Sequence, residues 1–158
     1  MRGAGKTILL VLCVALLGMV AGCAGTPKAG IGSYNQSRGD KAADTALTML
    51  DRPYRYRGET PRGFDCSGLV RYSYLNAGLD VPHGTKALLK VTRSVHRRDA
   101  RKGDLIFFVQ SGRKYSHVGI YVGEDEFVHA PSTGGRVRVD SLDDPYWKKH
   151  YLDTRRFL

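Results

Sequence analysis

Cys66 lies in the stretch of this sequence with the clearest capacity for chemistry, FDCSGLV at residues 64–70. Asp65 is a strong helix N-cap residue, so Cys66 is predicted in the first turn of a helix. The unpaired backbone N–H groups and the helix dipole favour a thiolate there, and we expect them to lower the pKa of the thiol. The same N–H groups can receive an oxyanion. The residue types therefore indicate a cysteine nucleophile.

Two histidines supply a base for that nucleophile. His117 opens the segment HVGIYVG, whose alternating apolar residues predict a strand with a core face and a second face that carries His117. His129 lies on the next predicted strand, so a suitable register brings both imidazoles together. The result is a Cys–His–polar arrangement in which the third residue orients the base. A lone histidine is more often structural, but two at hairpin spacing beside a solitary thiol favour catalysis.

Zinc binding is the competing use of cysteine and histidine. The sequence lacks the CxxC, HExxH and HxxxH spacings that typify zinc sites. The remaining histidines are scattered on predicted loops: His83, His96 and His150. We therefore expect neither a metal nor a cofactor.

The N-terminus resembles a bacterial lipoprotein export signal. Arg2 and Lys6 precede an uncharged apolar run at residues 8–17, which is too short to span a membrane. The sequence VAGC that ends at Cys23 resembles a lipobox, which implies removal of residues 1–22 and acylation of Cys23 with fatty acids such as palmitate. An ordinary signal peptide is the alternative. The next residue is not aspartate, and by the sorting rule for such lipoproteins this implies the outer membrane, with the domain facing the periplasm.

The cysteine count then isolates one thiol. Cys13 lies in the discarded apolar run and Cys23 is acylated, so Cys66 is the only thiol expected in the mature chain. A single free thiol cannot form an internal disulfide in an exported protein, which favours a reactive role. A buried, inert cysteine is the alternative.

The composition indicates one globular domain behind a flexible tether. The chain has 158 residues, 42% of them hydrophobic and 25% charged, which excludes disorder throughout and a polytopic membrane protein. Residues 23–39 comprise the acylated cysteine and a tether rich in glycine and small polar residues, and residues 40–158 form the folded domain. The net charge of +10 favours an anionic partner such as a cell-wall polymer. A solvated basic surface is the alternative, and nucleic-acid-binding motifs are absent.

Helical patterns precede strand patterns along the predicted domain. The helices are predicted from residue 40 to before Pro53, from residue 65 to Gly78, and at residues 85–91. The strands are predicted at residues 104–109, 117–122, 126–130, 137–142 and 151–158. Helices followed by antiparallel strands predict an α+β domain with the helices packed on one sheet.

Six blocks of the sequence together resemble one known family. They are PYRYRG, FDCSGLV, KGDLIFF, SHVGIYVG, FVHAPS and DPYWKKHY, in this order over residues 41–158. They resemble the NlpC family of papain-like cell-wall peptidases, which implies a papain-like α+β fold. The resemblance implies Cys66 as nucleophile, His117 as base and His129 as the residue that orients it. It also assigns the Tyr54 hydroxyl to the oxyanion, with a packing role as the alternative.

The resemblance also bears on substrate binding. The residues that adjoin the reacting groups are expected to contact substrate: Asp65, Ser67 and Ser116. Three residues depart from the family pattern beside the expected groove: Arg57, His83 and Leu88. These departures leave the reacting groups in place and bear on which bond is cut.

The function that the resemblance implies is hydrolysis of an amide in the stem peptides of peptidoglycan. The expected bond is the D-alanyl–diaminopimelate cross-link, which makes the protein a DD-endopeptidase of wall growth. The D-glutamyl–diaminopimelate bond within one stem is the alternative. A non-catalytic wall-binding lipoprotein, and an acyltransferase or lipid amidase on a related fold, stay open. The expected partners are stem peptides and, through Cys23, the membrane; regulation by a protein adaptor or a protease is left open.

Overall fold

The computed structural model describes residues 33–110, 112–132 and 135–158. The predicted signal peptide, Cys23 and the first part of the predicted tether lie outside these ranges. Within them, none of the helices combines the length and the apolar character that crossing a membrane requires.

The first helix, α1 (Gln36–Leu47), begins four residues before its predicted start. Asn35 is its N-cap, because the side-chain oxygen accepts a hydrogen bond from the Arg38 backbone N–H at 3.0 Å. Gly39 belongs to the buried face of the helix, where a Cβ would lie only 2.8 Å from the Tyr34 hydroxyl. A glycine that composition assigned to a flexible tether is therefore a packing residue.

The segment around Cys66 is framed by short elements. Strands β1 (Glu59–Thr60) and β2 (Gly63–Phe64) form a small antiparallel hairpin that the sequence did not predict. Helix α2 (Cys66–Asn76) follows at once, and α3 (Thr85–Lys90) comes next, both where they were predicted. Gly78, with φ at +82°, stops α2 as expected, since glycine adopts this left-handed conformation without strain.

A six-stranded antiparallel sheet forms the rest of the described domain. Its strands are β3 (Thr92–Val95), β4 (Leu105–Gln110), β5 (Arg113–Gly123), β6 (Glu126–His129), β7 (Arg138–Ser141) and β8 (Tyr151–Phe157), in the spatial order β3-β8-β4-β5-β6-β7. The short helix α4 (Pro145–His150) connects β7 to β8. The architecture is α+β, as predicted; β3 and α4 had no sequence prediction.

The sheet separates two apolar clusters. On one face, Val118 and Ile120 of β5 belong to the main core together with Leu69 and Val70 of α2, which confirms the predicted core face. Each such buried side chain contributes roughly 1.5–3 kcal/mol. The opposite face carries a smaller cluster: Ile106, Phe108, Phe127, Leu142 and Trp147. Because side chains alternate along a strand, His117 lies on this second face, beside Phe108.

Candidate active site

Cys66 is the first residue of α2, and Asp65 is the N-cap, as predicted. The Asp65 carboxylate accepts a hydrogen bond from the Gly68 backbone N–H at 2.7 Å, which fixes the first turn. Gly68 is required by close packing, because a Cβ at that position would lie 1.9 Å from the carbonyl oxygen of Gly58. Cys66 therefore stands at a helix end whose first turn is capped by Asp65 and packs closely against the backbone of Gly58.

Three backbone N–H groups surround the Cys66 sulfur, those of Cys66 itself, Ser67 and Val118. They lower the pKa of the thiol, but burial, followed by the neighbouring Asp65 carboxylate, has the larger effect and raises it from 9.0 to about 11. The expected lowering of this pKa is therefore wrong for the resting protein. Helix geometry was predicted correctly, whereas the degree of desolvation depends on the tertiary fold.

His117 is buried on β5, immediately before the residue whose N–H contacts the sulfur. Its Nε2 lies 2.8 Å from Nδ1 of His129, so the predicted pairing of the two imidazoles is present. Burial, followed by repulsion from His129, lowers the pKa of His117 from 6.5 to about 3. Since Nε2 is occupied, Nδ1 is the ring nitrogen of His117 that is left for another partner.

The imidazole pair continues to a carboxylate that sequence reasoning did not select. Nε2 of His129 lies 2.9 Å from Oδ2 of Asp140 on the neighbouring strand β7. The same oxygen accepts a hydrogen bond from the Trp147 indole N–H at 2.7 Å, and the Arg138 guanidinium binds the carboxylate at 2.9–3.0 Å. The only signal in the sequence was the position of Asp140 on a predicted strand.

Glycine at position 119 makes room for the imidazole pair. A Cβ on Gly119 would lie 2.5 Å from the Phe127 ring and 3.3 Å from Cβ of His129. The bare backbone at this point of β5 lets the side chains of β6 pack closely against it. The glycine of the HVG sequence is therefore a spacing residue for the site.

A groove of about 460 Å³ opens beside Cys66. Ten residues line it: Tyr54, Tyr56, Arg57, Asp65, Cys66, Ser67, His83, Gly84, Thr85 and Ser116. Burial raises the pKa of the Tyr54 hydroxyl, so this group stays protonated at neutral pH and can donate a hydrogen bond. The groove therefore brings together the Cys66 side chain, the Tyr54 hydroxyl and several charged side chains.

The sequence matches the profile of the NlpC/P60 family over residues 51–156. The chain belongs to the NlpC/P60 family. Murein DD-endopeptidase MepH of Escherichia coli (strain K12) is 37% identical over 122 residues, which is 74% of this chain and 45% of that protein. Murein DD-endopeptidase MepS/Murein LD-carboxypeptidase of the same strain is 42% identical over 106 residues, 66% of this chain and 55% of that protein.

The fold agrees with that of solved family members. The crystal structure of an NlpC/P60 family protein from Bacillus cereus ATCC 10987 matches with a TM-score of 0.71 at 28% identity, covering 81% of this chain and 42% of that one. The predicted papain-like α+β fold is confirmed. The chain spans about half the length of the two murein endopeptidases it matches.

The three predicted substrate contacts all line the groove of this NlpC/P60 domain. Their polar atoms also hold the site together. The Ser67 hydroxyl donates to Asp65 at 2.9 Å, and the Ser116 hydroxyl hydrogen-bonds both the N–H and the carbonyl of Gln110. Ser116, the residue before His117 on β5, therefore links this strand to the end of β4.

His83, which was predicted on a loop beside the expected groove, lines the groove. Its Nε2 lies 3.0 Å from both oxygens of Asp65, and its Nδ1 lies 3.6 Å from Glu59. The signal for this position was its departure from the family pattern. Leu88, another departure, is fully buried in the main core and does not line the groove.

The other histidines lie apart from the reacting groups. The His96 ring accepts a hydrogen bond from the Arg98 N–H, and His150 ends α4 and bonds the Tyr146 carbonyl. Over the described residues, no group of three or more histidine, cysteine, aspartate or glutamate side chains is arranged to hold a metal ion.

Proposed function

We propose that the protein is a peptidoglycan hydrolase that cuts an amide in the stem peptides, with Cys66 as nucleophile. One observation carries this proposal: the Cys66 sulfur, which three backbone N–H groups contact at a helix end, adjoins β5, the strand of the buried His117, whose imidazole pairs with His129 on β6. Family membership and the murein endopeptidase names of two relatives support it. His117 serves as base and His129 orients it.

Attack begins from a neutral pair, because burial keeps the Cys66 thiol protonated and His117 uncharged. As the sulfur bonds to the scissile carbonyl carbon, its proton passes to Nδ1 of His117. The backbone N–H of Cys66 donates to the resulting oxyanion, and the Tyr54 hydroxyl on the groove wall is a second donor. The imidazolium then protonates the leaving amine, the C–N bond breaks, and a thioester remains.

Hydrolysis of the thioester reverses these proton transfers. His117, now neutral, removes a proton from water as its oxygen attacks the thioester carbonyl. The second tetrahedral intermediate breaks its C–S bond, and the sulfur regains a proton from His117. The carboxylic acid product leaves, and the resting thiol is restored without any external reductant or cofactor.

The bond that we propose is the D-alanyl–diaminopimelate cross-link, so that the enzyme opens meshes in the wall for insertion of new strands. This choice rests on the names of the two Escherichia coli relatives. Asp65, Ser67 and Ser116, which line the groove, contact the stem peptide. Arg57 gives the groove a cationic group that suits the carboxylates of the stem.

The decisive experiment is a digest of intact sacculi and of isolated cross-linked muropeptides with the chain from Ala24 onward. A Cys66→Ser variant is the control, and products are identified by liquid chromatography and mass spectrometry. Loss of cross-linked dimers to tetrapeptide monomers, absent in the control, supports a DD-endopeptidase. Fragments that begin with free diaminopimelate, cut after D-glutamate, transfer the assignment to the alternative bond. Cleavage of neither substrate leaves a wall-binding protein or a different amide as substrate.

We also propose that the chain is an outer-membrane lipoprotein anchored through Cys23. The VAGC sequence and the preceding apolar run support this, and several acyl chains on one residue suffice for stable anchoring. Metabolic labelling with palmitate, followed by membrane fractionation, tests it. The label should enter the wild-type protein and be absent from Cys23→Ala, and recovery of the label in the inner membrane would contradict the sorting expectation.

A further inference from the structure

The His117–His129 pair is hydrogen-bonded at its far side to the carboxylate of Asp140 and not to solvent. Asp140 is one-fifth exposed, and His129, which it contacts, is completely buried. Oδ2 of Asp140 receives hydrogen-bond donors from His129, Trp147 and Arg138, so its position is determined from three directions. These contacts also lower the pKa of Asp140 well below its usual range, which keeps the group ionised.

An ionised carboxylate accepts hydrogen bonds and cannot donate them. The proton between Asp140 and His129 therefore belongs to Nε2 of His129. In a neutral imidazole the other nitrogen is then an acceptor, so Nδ1 of His129 accepts from Nε2–H of His117. By the same rule, Nδ1 of His117 carries the free lone pair. The proton positions on both imidazoles therefore follow from the Asp140 carboxylate, which can only accept a hydrogen bond.

We propose that Asp140 is a positioning residue that sets the proton positions of His129 and His117, and so leaves Nδ1 of His117 as the base. This assignment rests on the proposed function of the Cys66 site. Asp140 itself touches neither the sulfur nor the groove; it acts through the two imidazoles.

The negative charge adds a second effect during the reaction. When Nδ1 of His117 takes the thiol proton, the buried ring becomes cationic in a site where solvent cannot stabilise it. The hydrogen-bonded chain polarises toward Asp140, and the carboxylate stabilises the imidazolium through His129. The proton count is unchanged, because the carboxylate does not itself become protonated.

Two substitutions at one position separate these effects. Asp140→Leu removes both the charge and the acceptor, so His129 can reverse its hydrogen-bond direction. Asp140→Asn keeps an acceptor oxygen toward His129 and removes only the charge. The matched control is Asp143→Asn, which removes a carboxylate three residues further along that contacts Arg97 at the surface.

Activity is measured as kcat and KM of the full-length protein on purified cross-linked muropeptides. We expect kcat to fall about 100-fold in Asp140→Leu and about tenfold in Asp140→Asn, with KM little changed, as for groups that act through a reacting residue. Asp143→Asn should stay within about twofold of wild type. Equal losses of kcat in both variants, or no loss in either, would overturn the proposal.

The protonation pattern is measured independently by ¹⁵N NMR of the imidazole nitrogens, which distinguishes nitrogens with and without a proton. In wild type and Asp140→Asn, both Nε2 nitrogens should carry the proton. In Asp140→Leu, His129 should shift toward the Nδ1–H form. An unchanged pattern in Asp140→Leu overturns the proposal even if activity is lost, because the role would then be structural. Should wild type lack hydrolysis, the proposed function fails while this measurement still decides the role of Asp140.

Discussion

The described domain holds two imidazole–carboxylate pairs with nearly the same N–O separation. His83 lies 3.0 Å from Asp65 in the groove, and His129 lies 2.9 Å from Asp140 behind it. Their surroundings differ. The His83 side chain is 28% exposed, whereas that of His129 is inaccessible to solvent.

The neighbours of the two rings explain what each pair can do. His83 has a second carboxylate, Glu59, and solvent beside it. His129 packs against the rings of Phe127 and Trp147, and burial lowers its pKa even though Asp140 opposes that effect. A carboxylate partner therefore does not by itself charge an imidazole. The first pair lines the groove and is open to solvent, whereas the second is a buried neutral relay with a set hydrogen-bond direction.

The largest effect that would test this contrast comes from removing each imidazole in turn. His129→Ala should lower kcat about 10²- to 10³-fold, because His117 loses the group that orients it. His83→Ala should change kcat/KM less than about tenfold and act mainly through KM, since Asp65 keeps its capping contact with α2. Both are measured on purified cross-linked muropeptides. Full activity of His129→Ala would contradict the orienting role of His129 and the proposed difference between the two imidazole–carboxylate pairs.

The buried relay should also make the protein sensitive to acid. The folded-state pKa of His117 is about 3 and the unfolded value is near 6.5, so the unfolded chain binds this proton first as the pH falls. The free energy of unfolding is therefore highest above pH 6.5 and decreases below it, by roughly 1.4 kcal/mol per pH unit for each such histidine. Burial lowers the pKa of His129 in the same direction.

Urea unfolding between pH 7.5 and pH 4.5 measures this dependence. These conditions stay above the range in which Asp140 takes up a proton. A His117→Gln variant should show a shallower decrease than wild type, and His83→Gln, which removes a groove imidazole, is the control. An identical slope in wild type and His117→Gln would show that the buried ring does not remain neutral.

The state of the thiol gives a smaller and complementary test. If the relay is neutral at rest, no imidazolium stabilises the thiolate, and burial holds the pKa of Cys66 near 11. The rate at which iodoacetamide alkylates Cys66, measured on the chain from Ala24 onward, should then keep rising up to pH 10. In urea the same chain should approach its plateau earlier, near the ordinary value of 9.0. A native plateau below pH 7 would indicate a resting thiolate–imidazolium pair instead.

The smallest expected effect concerns the indole that holds Asp140. Trp147→Phe keeps an aromatic ring beside His117, on which Trp147 stacks at 5.6 Å between ring centroids, and removes the N–H donor. We expect a loss of about 1 kcal/mol in the free energy of unfolding and about a two- to threefold fall in kcat. Tyr146→Phe on the same helix is the control for stability and rate. Equal unfolding free energies and equal kcat values in the two variants would show that the indole N–H does not contribute to holding Asp140.

Local rules explain the features that were predictable. Asp65 caps α2 because a carboxylate satisfies the free N–H groups of the first turn, so the place of Cys66 follows from a few adjacent residues. The alternation along residues 117–122 puts His117 opposite the core face, since side chains of a strand point to the two sides in turn. A helix cap and the alternation along a strand each depend on residues that are close together in the sequence.

Contacts between distant segments were beyond those rules. His83 lies 18 residues from Asp65, and the two meet only because the segment before α3 folds over the groove. Residues 36–39 had the composition of a linker, and their helical conformation depends on packing of Gly39 near Tyr34. Neither the spacing nor the residue types indicated these contacts.

Local sequence signals were sufficient to place the candidate reacting groups, Cys66 at a helix start and two histidines on neighbouring strands, because caps and strand alternation act over short distances along the chain. Their hydrogen-bond partners and pKa values, by contrast, depend on the tertiary structure. The pairing of β6 with β7 brings Asp140 to His129, and the closing of the core over Cys66 and His117 reverses the expected direction of the thiol pKa. The physical reason is that desolvation and hydrogen-bond direction depend on everything that surrounds a group, and most of those neighbours are remote in sequence.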